Sequence, residues 1–182
     1  KFPSPIGDDA EFMMHMMREY DKNFRFWIDI ANVGNRATLE LLLNENTLPG
    51  FNDSGAHITN MAFFDANLMS LKLAQTQSLE TVGRIVQRLT SEPARFFGLD
   101  VGTLNIGAQA DITLIDPTRL SQHDCDKSRQ LIYRDLLEHQ QMVNRSDGVV
   151  SRVLIRGETV WCDNGVTAAL GSKPLGRALR AA

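Results

Sequence analysis

Pro49-Gly50-Phe51-Asn52-Asp53-Ser54-Gly55-Ala56-His57 is the stretch whose reading decides the fold. An apolar approach ends in a tight polar turn that carries a carboxylate, and an imidazole follows four residues later. A barrel enzyme presents a metal ligand or a base in this way, at the mouth of its last strand. Asp53 can be read as such a ligand and proton acceptor. Asn-Asp-Ser-Gly is also ideal composition for an Asx-turn or a helix cap, and both readings stay open on spacing alone. His57 can be a second ligand, a substrate contact or a packing histidine.

Working outward, residues 8 to 21 read as a helix capped by Asp8, with Met13, Met16, Met17 and Tyr20 at helical spacing. Its methionines are expected to fill gaps in a core. Residues 24 to 30 alternate as a strand. A turn through Gly34 leads into a Leu-rich helix over 36 to 43, and Leu48 to Asn52 is expected to be a short strand. Beyond the motif, Phe64, Leu68 and Leu71 form a helical stripe. Ser78 caps a further helix that buries Leu79, Val82, Ile85, Val86 and Leu89. Arg84, Arg88 and Arg95 are placed on solvated faces. Ser91-Glu92-Pro93 opens a short helix closed at Gly98.

The pattern changes near residue 100, where glycines begin to punctuate short β-rich runs. Ile112 and Leu114 start a strand, and Arg156-Gly157 marks a hairpin between Val149–Ile155 and Thr159–Cys162. Asn164-Gly165 marks a turn. Residues 120 to 147 read as an irregular polar loop with a short helix near Leu131 to Leu137. Asp111 and Asp116 could pair as acid and base. A polar start to the strand and an Asp-Pro turn account for them better. The chain is thus read as α/β over 1–98 and as β-sandwich material over 99–182.

The bulk numbers narrow the function. With 182 residues, 43% hydrophobic and 23% charged, the composition is that of an ordinary globular chain. A net charge of -3 gives no broad basic face, so nucleic acid is not an expected partner. No apolar run is long enough for a membrane helix. Cys125 and Cys162 have no CxxC spacing, and two unpaired thiols suit a reducing cytoplasm. His15, His123 and His139 are scattered, with no His-x-His or HExxH, so no compact motif completes a zinc site. The start at Lys1, without Met, suggests a trimmed chain or a fragment.

Two stretches together resemble one family. Gly50 to His57 resembles the end of the last barrel strand in N-acyl-D-amino-acid deacylases, a branch of the amidohydrolase superfamily. Residues 91 to 116, from Ser-Glu-Pro-Ala-Arg-Phe-Phe-Gly-Leu through Ile-Gly-Ala-Gln-Ala-Asp-Ile-Thr-Leu-Ile-Asp, are similar to the segment that leaves the barrel for a small β-sandwich. Arg-Gly-Glu-Thr-Val at 156 to 160 continues the pattern. The resemblance implies a metal-dependent (β/α)8 barrel, with zinc or another divalent metal activating water against the amide of an N-acyl amino acid. It implies that Asp53 is catalytic and a metal ligand, and it gives His57 a place in the motif, where a substrate contact is the expected role.

The chain would supply only the C-terminal βα units of the barrel and part of the sandwich. The remaining ligands are expected outside it, with no activity and no cofactor in this chain alone. Its barrel strands would have to pair with another copy or with the missing N-terminal half. A cyclic-amide or imidazolone hydrolase of the same superfamily, and a non-catalytic association module, are the alternatives.

Overall fold

The computed structural model describes residues 7–24, 34–50, 65–144, 148–163 and 165–181. The chain divides into two units, Lys1–Val33 and Gly34–Ala182. In the first, α1 (Asp9–Tyr20) is capped by Asp8, whose carboxylate accepts from the Glu11 N–H at 2.8 Å. This helix fully buries no residue: Met14 and Met17 are exposed, against the expectation of core filler, and Met13 and Met16 are half-buried. The strand expected over 24–30 lies outside the described residues apart from Phe24, which follows a short 3-10 turn.

The second unit opens with α2 (Asn35–Leu43), α3 (Ala66–Gln75), α4 (Leu79–Leu89) and α5 (Ser91–Phe96). The Ser78 hydroxyl caps α4 by accepting from the Thr81 N–H at 3.0 Å. Gly98 takes a left-handed φ of 65° after α5, and the Leu99 N–H returns to the Ala94 carbonyl at 2.8 Å. That closes the helix as glycine at this position should. Of the strand expected over Leu48 to Asn52, residues 48–50 have no strand pairing among the described residues, and 51–52 lie outside them.

The buried stripe of α4 differs from the expected one. Ile85 is fully buried and Val82 and Leu89 pack beside it, but Leu79 is 86% exposed and Val86 is also exposed. At about 100° per residue, Leu79 and Val86 sit roughly 100° or more round the helix from Ile85. Arg88 lies inside the stripe and is 1% exposed, so it is not on a solvated face.

The β-rich part holds β1 (Ile112–Ile115), α6 (Pro117–Gln122), α7 (Cys125–Ser128), β2 (Arg129–Arg134), β3 (His139–Asn144), β4 (Val150–Ile155), β5 (Glu158–Cys162) and β6 (Gly165–Val166). The larger sheet has the order β1-β4-β5-β6, and β2 pairs with β3 separately. Every pairing among the described residues is antiparallel. Arg156 and Gly157 both have positive φ, 51° and 81°, as a two-residue I′ hairpin turn requires.

The same turn is tied to the start of β1. The Arg156 N–H donates to Asp111 Oδ1 at 2.9 Å, and the Gly157 N–H donates to the Ala110 carbonyl at 2.8 Å. Asp116 caps α6 by accepting from the Thr118 and Arg119 N–H groups, with Pro117 in the first turn. Both aspartates therefore do structural work.

The helix expected near Leu131–Leu137 is instead a hairpin. Gln130-Leu131-Ile132-Tyr133 pairs in register with Val143 back to Gln140. The turn runs through a 3-10 segment, Asp135–Leu137, to Glu138 at φ 52°. Branched and aromatic side chains favour the pleated pairing once a partner strand is at hand.

One core joins the helices to the sheet. Leu68, Leu71 and Ala74 of α3, Ile85 of α4, Leu120 of α6 and Val149 are buried together. Leu42, Leu43, Ile115 and Val150 pack against them. The chain in the second unit is thus a mixed α/β structure in which residues on both sides of position 99 share one apolar cluster.

Two glycines give opposite predictions. Gly102 has a φ of 80°, and a Cβ there would lie 2.8 Å from the Thr90 carbonyl oxygen. Gly83, inside α4, has nothing within 4 Å of that position. Gly102→Ala should destabilise by about 1–3 kcal/mol. Gly83→Ala should stabilise by roughly 0.5–1 kcal/mol. Urea unfolding of both variants measures the contrast; equal effects of one sign would contradict it.

Candidate functional site

Asp53 and His57 lie within residues 51–64, outside the described residues. The structure does describe the chain that delivers this segment and the helix that receives it. On the near side, α2 ends at Asn44, whose side chain accepts from the Asn46 N–H at 2.9 Å. The Thr47 hydroxyl donates to the carbonyls of Leu41 and Asn44 at 3.1 and 3.0 Å. On the far side, the Asp65 carboxylate caps α3 by accepting from the Leu68 N–H at 3.3 Å.

Arg88 holds the near side. Its Nε donates to the Leu42 carbonyl, and its Nη2 donates to the carbonyls of Asn44 at 2.6 Å and Thr47 at 2.5 Å. Nη1 faces Glu92 Oε2 at 3.1 Å, and Glu92 also meets Arg84. The guanidinium fork thus collects carbonyls that the end of α2 leaves without helical donors. Sequence reasoning missed this residue. The signal was present, since position 88 follows Ile85 by three residues and stands four before Glu92.

A second polar cluster was also missed. His123 and Cys125, both buried, bring Nε2 and Sγ to 3.6 Å. The Lys72 ammonium donates to the His123 carbonyl at 2.5 Å. Burial pushes the Cys125 thiol above its usual range, and the Asp65 N–H partly opposes that shift. The thiol is neutral at pH 7, which makes it a poor nucleophile despite its imidazole neighbour. Among the described residues, no group of three or more His, Cys, Asp and Glu could hold a metal ion. The described residues alone therefore do not fit a metal centre, and the motif residues Asp53 and His57 are outside that test.

Cys125 and Cys162 are both free. Because the folded Cys125 pKa is raised, its contribution to stability is complete below the unfolded value and is lost as pH rises beyond about 9. Native protein at pH 8 should react with a thiol reagent at Cys162 well before Cys125, and unfolding should equalise the two. Equal native rates, followed by mass spectrometry, would contradict the burial argument.

Comparison with known proteins gives the family. Residues 33–160 match the Amidohydrolase family. An uncharacterized protein of Mycobacterium tuberculosis is 33% identical over 150 residues, which cover 78% of this chain and 24% of that protein. A D-phenylhydantoinase of Escherichia coli is 30% identical over 112 residues, 55% of this chain and 21% of that enzyme. A dihydroorotase of Geotalea daltonii is 45% identical over 49 residues, 27% of this chain and 11% of that enzyme. This chain thus spans about a quarter or less of the length of these relatives. No solved structure gives a significant match. With the family match running from residue 33 through the core-forming helices to β5, the chain belongs to the amidohydrolase family.

Proposed function

We propose that this chain is part of a hydrolase that cleaves the linear amide of N-acyl-D-amino acids, and that it contributes Asp53 to the reacting centre. The observation that carries this is the Gly50–His57 motif, which lies inside the span matched to the family. Residues 1–98 would then be the later βα units of the barrel and 99–182 part of its β-sandwich. The remaining metal ligands belong to sequence beyond this chain. The free thiols fit a cytoplasmic location.

In this reading a divalent metal supplies the Lewis acidity of the site. The work assigned to this chain is proton handling. The Asp53 carboxylate takes a proton from the attacking water and returns it to the leaving nitrogen as the C–N bond breaks. His57 contacts the substrate beside it. The names of the D-phenylhydantoinase and dihydroorotase relatives favour a second reading, in which the bond cleaved lies in a cyclic amide. Asp53 would have the same task there.

The test is to express this sequence within its full-length protein and assay N-acetyl-D-amino acids beside hydantoins and dihydroorotate. Turnover of the linear substrates supports the first reading, and turnover of the cyclic ones alone supports the second. In either case Asp53→Asn should lower kcat by about 10²–10⁴-fold. Undiminished activity in that variant would remove Asp53 from the mechanism. The 182-residue chain by itself should show no turnover, and stoichiometric zinc with activity in it would contradict the division of the site.

A further inference from the structure

We propose that the outer edge of β2 pairs with β2 of a second copy of this chain, joining the two hairpins into one four-stranded antiparallel sheet. The proposal goes beyond the hydrolase reading and does not rest on it. β2 and β3 form a sheet of two strands, apart from the larger sheet. Two strands alone are marginal in water, and a further strand or a packed face is what stabilises them. β3 is the strand turned to the rest of the unit, since Val143 is buried and only Gln140 is exposed. β2 is the reverse, with every residue exposed except Ile132. Leu131 and Tyr133 are each more than half exposed, and among the described residues β2 pairs with β3 alone. Such an edge offers its unpaired N–H and C=O groups to any strand whose side chains fit.

The side chains of β2 fit a second copy of themselves. An antiparallel pair with Ile132 on the two-fold axis sets Leu131 opposite Tyr133 of the partner subunit, and Tyr133 opposite the partner subunit's Leu131. The same register sets Arg129, at the start of β2, opposite Asp135 of the partner subunit, just past the end of that strand. Symmetry makes this charge pair twice. Arg129 and Asp135 are both exposed. Arg129 now meets Asp126 at 3.4 Å, an exposed pair that contributes little and is readily exchanged. Aromatic pairs with aliphatic side chains and pairs of opposite charge both stabilise neighbouring strands. A shift of one residue sets Arg129 opposite Arg134 of the partner subunit instead, and like charges there are destabilising.

The apolar row also continues across the hairpin. Leu131 stands opposite Met142 and Tyr133 opposite Gln140 in the register of β2 with β3. Met142, Leu131 and Tyr133 of the partner subunit therefore lie side by side on one face of the joined sheet. Charge and apolar pattern thus agree on one occupant for the edge, a second copy of this chain.

Sedimentation of the full-length protein tests this, since it reads mass and not turnover. The wild type should be a dimer or an assembly of dimers. Arg129→Asp or Asp135→Arg alone should shift it to a smaller species, with a dissociation constant raised about 10-fold or more, because two opposite-charge pairs become two like-charge pairs. Mixing the two variants should restore the larger species, because each introduced charge then meets an opposite one. Neither variant alters a buried side chain, so loss of folding would not imitate this recovery. Ile132→Cys should form a disulfide between copies under mild oxidation, since residues facing across a strand pair lie within disulfide reach. Leu79→Cys, on the exposed side of α4, should not. A monomeric wild type would overturn the proposal. So would an oligomer that both charge variants leave intact, or a mixture that fails to recover.

Discussion

The helical half of the second unit depends on one buried cation. Arg88 stands on the apolar stripe of α4, between Ile85 and Glu92, and its guanidinium joins α4 to the end of α2. Desolvating a guanidinium is costly, and here the cost is offset by Leu42, Asn44, Thr47 and Glu92. Such a cluster is directional in a way that Leu68, Leu71 and Ile85 packing against one another is not. The apolar contacts bring α2, α3 and α4 together, and the hydrogen bonds determine where the chain beyond α2 must run.

The sheet is fixed by a second, smaller arrangement of the same kind. Asp111 accepts from the N–H of Arg156 at the tip of the β4–β5 hairpin, so the start of β1 and the hairpin turn are held together. Leu120, Ile115, Val149 and Val150 then bring this sheet against α3. Arg88 and Asp111 have parallel roles: each is a charged side chain that satisfies backbone groups far away in sequence. Neither is a site in itself.

What could be read from the sequence divides along the range of the interaction. Asp8 and Ser78 are legible as caps because each bonds to an N–H three residues away, and Asp116 is legible only as an Asp-Pro turn, the helix it caps not being expected. Arg156-Gly157 was legible because a two-residue turn announces itself. Burial of Arg88 is not legible because its three carbonyl partners are 41 to 46 residues distant, and a charge on a helix is ordinarily solvated. The β2–β3 hairpin is not legible because Leu131 to Leu137 reads apolar at either period, and only the pairing with β3 decides it. His123 and Cys125 looked scattered because the turn between α6 and α7 brings together side chains that carry no joint motif. Asp53 owes its functional reading to the resemblance alone, since a carboxylate on an Asn-Asp-Ser-Gly turn fits a cap equally well.

Arg88 is an internal tie and not a surface charge. Equilibrium unfolding of Arg88→Ala measures it most directly. Removing one partner from a buried, hydrogen-bonded charge pair should cost about 3–5 kcal/mol. A loss within about 0.5 kcal/mol, as for an ordinary solvated side chain, would contradict the account.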